Sequence, residues 1–159
     1  MIWQIGLILF FGLVLYYLRN GAIPLGTHLD QVDRMVRLAK IERGMKVVDL
    51  GSGDGRLVIA CAQAGAEAFG YENNPILFLW SYLKIQKYKS AHVSLRSFWG
   101  VDLGDYDVVT VFGISHIMDR LEIKLQKELK PGSLVVSNIF KFSNWQPIHS
   151  ENGVHVYQK

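Results

Sequence analysis

Apolar and polar residues recur along this chain with two different periods, and the periods switch in a regular order. Met1 to Leu18 (MIWQIGLILFFGLVLYYL) is apolar almost throughout, with Gln4 its only strongly polar side chain. As a helix from Ile2 it would measure roughly 25 Å, at the short end of what crosses a hydrocarbon layer of about 30 Å. Asn20 to Thr27 (NGAIPLGT) reads as a turn-rich connector. Over His28–Ile41, residues Leu29, Val32, Met35, Val36 and Ala39 recur at helical spacing with charges between them. From there the pattern alternates. Lys46–Leu50 predicts a buried strand, Gly55–Ala64 a helix, Glu67–Tyr71 a second strand, and Pro75 to about Lys89 a helix opened by proline. His92–Leu95 and Tyr106–Phe112 predict two more strands, and Ile117–Leu129 a helix closed by Lys130-Pro131-Gly132. Ser133–Ile139 predicts a fifth strand, and Asn152-Gly153 separates Trp145–His149 from Val154–Gln158 in a hairpin pattern. Strands alternating with helices predict an α/β fold, a mostly parallel sheet covered on both faces.

Composition refines this outline at the N-terminus. A chain of 159 residues, 50% hydrophobic and 19% charged, buries one core and makes one domain after the apolar segment. A cleaved signal peptide would carry a basic leading region and a small-x-small cleavage site, and neither precedes Asn20-Gly21-Ala22. An amphipathic surface helix would show a polar face, and none is present. Trp3 at one end and Tyr16-Tyr17 at the other suit the two interfaces of a bilayer. The expected organisation is a membrane anchor over 1–19, a connector over 20–27 and a folded domain over 28–159. Arg19, Arg34, Arg37, Lys40 and Arg43 all follow the anchor, so the positive-inside rule places the domain on the cytoplasmic side of a single-pass membrane protein. A net charge of +3 suits contact with anionic lipid and is too small and dispersed to argue for nucleic acid. Cys61 is the single cysteine, which excludes an internal disulfide or cysteine metal cluster, and no metal is expected.

The first strand runs into VVDLGSGDGRL, residues 47–57, where an acid is followed by glycines at alternate positions. In a parallel sheet ligands sit beyond the carboxyl ends of the strands, so this turn is the candidate site. A dinucleotide fingerprint, G-x-G-x-x-G, is matched by Gly51 and Gly53, but Arg56 stands at its third glycine position and Gly55 comes one residue early. Asp49 at the strand end would not help a pyrophosphate. A phosphate-binding P-loop is excluded because no Gly-Lys-Ser/Thr follows.

The pattern acid-x-Gly-x-Gly-x-Gly resembles motif I of the class I S-adenosylmethionine-dependent methyltransferases, which implies their Rossmann-like sheet. That cofactor carries a carboxylate, an ammonium and a sulfonium rather than phosphate. Helix N-terminal amides beyond Gly53 suit the carboxylate, and nearby acids suit the cations. Glu72, in FGYENNP, ends the second strand about 20 residues on, where a carboxylate accepts ribose hydroxyls. The runs VVDLGSGDGRLVIACAQAGAEAFGYENNP and VFGISHIMDRLEIKLQKELKPGSLVVSNIFKFSNWQP further resemble the small membrane-associated mitochondrial protein-lysine methyltransferases. Those enzymes act on the ATP synthase c subunit and the adenine nucleotide translocase. The resemblance covers most of residues 24–149. It implies that Asp49, Gly51, Ser52, Gly53 and Gly55 form the methionine-side turn, that Glu72 holds the ribose, and that Ser97, Phe98 and Trp99 lie beside the adenine; Asp54 and Asn73 complete the candidate cofactor-binding set. Where that family has an acid near the third-strand end this chain has Ser97, with Asp102 close enough to substitute.

The implied reaction is methyl transfer to a lysine of a membrane protein, with S-adenosyl-L-methionine as cofactor. In-line displacement mainly needs alignment of donor and nucleophile, so no dedicated base is required. Weak catalytic candidates are Ser115 and His116, in FGISH after the fourth strand. No Asn/Asp-Pro-Pro-Tyr stands there, as amide and adenine-amino methyltransferases use, and no cysteine for covalent pyrimidine chemistry. Several alternatives stay open. Asp54 serves equally as a helix cap, His116 as a packing residue, and Phe140, Phe142 and Trp145 as hairpin core or as an aromatic channel. Cys61 reads as helix packing and Thr27 as a turn residue or a cover for the cofactor. A lipid or quinone substrate, or cofactor binding without turnover, would also suit a membrane-anchored domain of this size.

Overall fold

The computed structural model describes residues 3, 4, 6, 7, 12, 28–113 and 115–159. The segment expected to form a membrane anchor and the connector over 20–27 fall almost wholly outside the described residues. Among those described, no helix is long and apolar enough to cross a membrane. The rest is α/β, as the alternation of periods predicts.

In chain order the elements are α1 (Leu29–Leu38), β1 (Lys46–Leu50), α2 (Arg56–Gln63), β2 (Glu67–Glu72), α3 (Pro75–Ile85), β3 (Ala91–Leu95), β4 (Val108–Val111), α4 (Ser115–Glu128), β5 (Leu134–Asn138), β6 (His149–Glu151) and β7 (Val154–Gln158). They form one seven-stranded sheet in the order β3-β2-β1-β4-β5-β7-β6. The first five are mutually parallel, and β7 and β6 add antiparallel at one side. Strand order reverses between β1 and β4, which opens a crevice above their carboxyl ends.

Each valine-rich strand feeds both faces. On one, Val47, Ala68, Val108, Val136 and Val156 pack with Val32 and Met35 of α1, Leu57, Val58 and Cys61 of α2 and Ile85 of α3. On the other, Val48, Leu50, Val109, Val111 and Val135 meet Met118, Leu121 and Leu125 of α4, with Phe142, Trp145 and Tyr157. Burial of each such side chain contributes roughly 1.5–3 kcal/mol, so the two layers account for most of the driving force.

Boundaries depart from the pattern where tertiary contacts intervene. Helix α3 stops at Ile85 rather than near Lys89, because the Tyr88 amide turns back to the Ile85 carbonyl at 2.7 Å. Helix α4 begins at Ser115, two residues early, and β4 is shorter than Tyr106–Phe112. Tyr106 leaves the ladder to place its hydroxyl 3.0 Å from that of Tyr71. The hairpin forms, with Asn152 (φ 46°) and Gly153 (φ 82°) both left-handed as a two-residue turn requires. Its first strand is His149–Glu151, not Trp145–His149. Trp145 turns inward onto Tyr157, ring centroids 5.4 Å apart, and Pro147 has no N–H for a ladder.

One glycine inside a strand matters to all this. A Cβ on Gly70 of β2 would lie 2.6 Å from Ser52 Oγ and 2.8 Å from Val58 Cγ2. Gly70→Ala is therefore expected to cost about 1–3 kcal/mol as overpacking. Adding Ser52→Gly should recover part of that loss in a urea melt, and no recovery would show that the serine is not the obstacle.

Candidate functional site

The carboxyl ends of β1, β2 and β4 meet at the reversal of strand order, and the turn after β1 lies across them. Gly51 and Ser52 donate their amides to the Tyr71 carbonyl at 2.9 and 3.1 Å, which stitches the turn to β2. Gly51 (φ 81°) and Gly53 (φ 53°) hold left-handed backbone, and a Cβ on either would meet nothing within 4 Å. The surface above them is open, a cradle that added side chains would fill. Gly55 (φ 78°) differs, since its Cβ would lie 2.9 Å from Ser81 Cβ on α3. Two glycines thus clear space for a ligand, and the third lets a helix approach. Ser52 is buried beneath them, its Oγ without a hydrogen-bond partner among the described residues.

Glu72, 6% exposed, is held at both oxygens. Oε2 accepts the Gly53 amide at 2.8 Å and Oε1 the Asn74 amide at 2.7 Å. A carboxylate oxygen has two acceptor positions, so each keeps one for a ligand hydroxyl. Asn73 beside it is exposed. Asn74 caps α3, accepting the amides of Ile76 and Leu77 at 2.9 and 3.3 Å.

Asp49 lies in one row with Gly70 and Thr110 across three strands. It is 7% exposed, and the Thr110 hydroxyl donates to its Oδ1 at 2.9 Å. Burial pushes its carboxyl up to about 7, against the Thr110 hydrogen bond and reinforced by the Glu72 and Asp54 charges. Asp54 is driven the other way. Its hydrogen bonds from Arg56, at 2.8 and 2.9 Å, and from Lys84 Nζ, at 2.8 Å, hold it well below the usual carboxylate range. The Arg56 amide is 3.4 Å from Asp54 Oδ1, a long contact for a cap, so the ion pairs dominate, and the one to Lys84 fastens the turn to α3.

Phe98 and Trp99 form a short 3₁₀ turn beyond β3, ring centroids 4.8 Å apart, and both pack on the α4-side core. The Arg120 guanidinium lies 4.1 Å from the Trp99 ring centroid and covers one of its faces. Ser97 is exposed, and Asp102 closes its own turn by accepting the Gly104 amide at 3.0 Å. Ser115 and His116 open α4 at the end of β4, both exposed. Phe142 and Trp145 are 5% and 9% exposed and clasp Tyr157, which is hairpin core, while Phe140 stays half-buried. Cys61 is buried, which raises its thiol, and Thr27 lies outside the described residues.

Four contributors carry little or no signal in the sequence. Thr110 and Gly70 are matched to Asp49 only by strand register, Lys84 reaches Asp54 from another helix, and Asn138 ends β5 with a buried Oδ1 lacking a partner among the described residues. A glycine within a strand marks close approach, so Gly70 alone left a readable signal.

The sequence profile of the ANTKMT methyltransferase domain matches residues 49–149. The lysine N-methyltransferase of the ATP synthase c subunit from Rattus norvegicus is 40% identical over 123 residues, 76% of this chain and 56% of that protein. The adenine nucleotide translocase lysine N-methyltransferase of Mus musculus is 40% identical over 129 residues, 77% of this chain and 55% of that one. This chain spans about half the length of these curated relatives. An RNA methyltransferase from Salinibacter ruber, solved with S-adenosyl-L-homocysteine, superposes with a TM-score of 0.77 at 30% identity, covering 84% of this chain and 91% of that one.

The Asp49 carboxyl carries a prediction of definite sign. A free aspartate titrates near 3.8 and this one near 7, so between those values the folded chain keeps a proton that the unfolded chain has released. Stability therefore falls as pH rises across that window and stays low above it. Asp49→Asn is expected to raise the unfolding free energy at pH 8 by roughly 1–3 kcal/mol and to leave pH 4 unchanged. Equal effects in urea melts at the two pH values would overturn the assignment.

Proposed function

Because this chain belongs to the ANTKMT methyltransferase-domain family, we propose that it is an S-adenosylmethionine-dependent protein-lysine N-methyltransferase whose substrate is a membrane protein. The observation that carries the cofactor half is the open cradle over Gly51 and Gly53 beside the doubly anchored Glu72. The residues fit the ligand group by group. Glu72 retains one acceptor position on each oxygen for vicinal ribose hydroxyls. The backbone beyond Gly53, at the start of α2, offers amides to a carboxylate. The carboxyls of Glu72 and Asp49, the latter once it has lost its proton, suit an ammonium and a sulfonium. Phe98 and Trp99, both half-buried, offer apolar surface suited to a purine.

Bound S-adenosylmethionine supplies an electrophilic methyl group. The chain's part is to align a neutral amine with it and to exclude water. A lysine at pH 7 must lose its proton first, at about 4–5 kcal/mol from its free value near 10.4. An apolar approach lowers that value by penalising the charged form. Water outside the desolvated approach takes the proton, so Ser115 and His116, both exposed at the start of α4, are not required as bases. The lysine half of the reading rests on the relatives named for lysine N-methylation.

Location belongs to the proposal too. The apolar Met1–Leu18 segment, followed by Arg19, Arg34, Arg37, Lys40 and Arg43, supports a single-pass anchor with this domain on the cytoplasmic side. Tethering would raise the local concentration of membrane-protein substrates.

Calorimetric titration of the detergent-solubilised chain with S-adenosylhomocysteine and with NAD tests the cofactor. Saturable binding of the first alone is expected, and Glu72→Gln should weaken it by about tenfold or more, because an amide nitrogen replaces one acceptor. Binding of neither would remove the site. For the substrate, methyl-labelled S-adenosylmethionine incubated with membranes should place label on protein, recovered as methyl-lysine after hydrolysis. Label in extracted lipid, or in added RNA, would replace the lysine reading.

A further inference from the structure

Helix α3 is apolar on both sides, which a helix with one neighbour does not need. Its inner side packs inward through Ser81 and Ile85, both buried. Its outer side carries Ile76, Leu79, Trp80 and Leu83, each between 57% and 65% exposed. These positions are spaced i, i+3, i+4 and i+7, so they form one stripe along the helix. Tyr82, 45% exposed, flanks it. The rim has a single sign. From Asn73 to Ala91 the chain holds Lys84, Lys87 and Lys89 and neither Asp nor Glu. Lys84 Nζ lies 5.4 Å from the Trp80 ring centroid and Lys87 Nζ 5.2 Å from that of Tyr88, so both stems run along the aromatic surface.

We infer that the outer face of α3 rests in the interfacial layer of an anionic lipid bilayer and fixes how the domain sits on the membrane. An apolar stripe with a wholly basic rim matches acyl chains bordered by negative headgroups. Trp80 and Tyr82 are amphipathic and suit the headgroup level. A second copy fits poorly, because a two-fold contact would bring Lys87 and Lys89 of both copies together, and only Lys84 has an acid beside it, Asp54. The contact also touches the candidate site. Gly55 packs against Ser81, and Asp54 binds Lys84, so the face turned to lipid is braced against the glycine turn. This inference rests on the proposed membrane location for its purpose, yet it is tested without catalysis.

The full chain is used, with an environment-sensitive fluorophore on Leu79→Cys, on Leu83→Cys, or on Lys127→Cys, which is exposed on the opposite face. Cys61 is buried and takes no label in the folded chain. Vesicles of phosphatidylcholine with and without phosphatidylserine are compared, since the N-terminal segment reports on neither site. Labels at 79 and 83 should shift to the blue with phosphatidylserine and the label at 127 should not. Lys87→Gln with Lys89→Gln should reduce the shift. Aqueous emission at 79 and 83 in both vesicles overturns the inference, and an equal shift without phosphatidylserine overturns the anionic surface. A blue-shifted label before vesicles are added also overturns it: loss on dilution then assigns the stripe to a second copy, and persistence to the chain's own N-terminal segment. Retained S-adenosylhomocysteine binding in detergent shows that the cofactor site stands whichever way α3 falls.

Discussion

The carboxylate of Glu72 joins three parts of the molecule that sequence keeps apart. One oxygen takes the Gly53 amide from the turn after β1, and the other takes the Asn74 amide where α3 begins. Its own place is set by β2, which pairs with β1 up to Tyr71 and with β3 at Glu72 itself, opposite Leu95. Hydrogen bonds to a charged acceptor in a site this enclosed are among the stronger local contacts. They hold the glycine turn in one left-handed shape through the chain's own hydrogen bonds, which favours a cradle formed ahead of binding. Preorganisation of this kind lowers the ordering cost of binding.

Three acids stand within this small region, and their environments drive them apart. Asp49 loses water on burial and its proton is held more tightly. Asp54 is gripped by Arg56 and Lys84 and gives up its proton readily. Glu72 serves as a structural acceptor with capacity to spare. Three carboxylates thus end in three states, one buried, one ion-paired and one accepting two backbone amides, and the distinction comes from the partners.

Material is distributed unevenly over the sheet. One face is roofed by α1, α2 and α3, whereas the other relies on α4 with Phe142, Trp145 and Tyr157 folded over from the hairpin side. Economy of this kind leaves Ser115 and His116 exposed at the start of α4, beyond the end of β4. It also leaves the outer stripe of α3 bare. A membrane surface on α3 and a membrane-held substrate would make both features parts of one arrangement.

The sequence by itself determined the order of strands and helices, the parallel sheet, the hairpin at Asn152-Gly153 and the turn at 51–55, because each rests on local periodicity, proline or a left-handed backbone. The acid at the end of β2 was legible for the same reason, through its spacing from the glycines. Tertiary structure alone decided the row of Asp49, Gly70 and Thr110, since strand register is a relation between distant segments. It also decided that Gly55 lies against Ser81 of α3, that Asp54 is paired with Lys84, and that Trp145 turns into the core before β6 can start. Pairing and packing set these outcomes, and neither leaves a mark on a single stretch of chain.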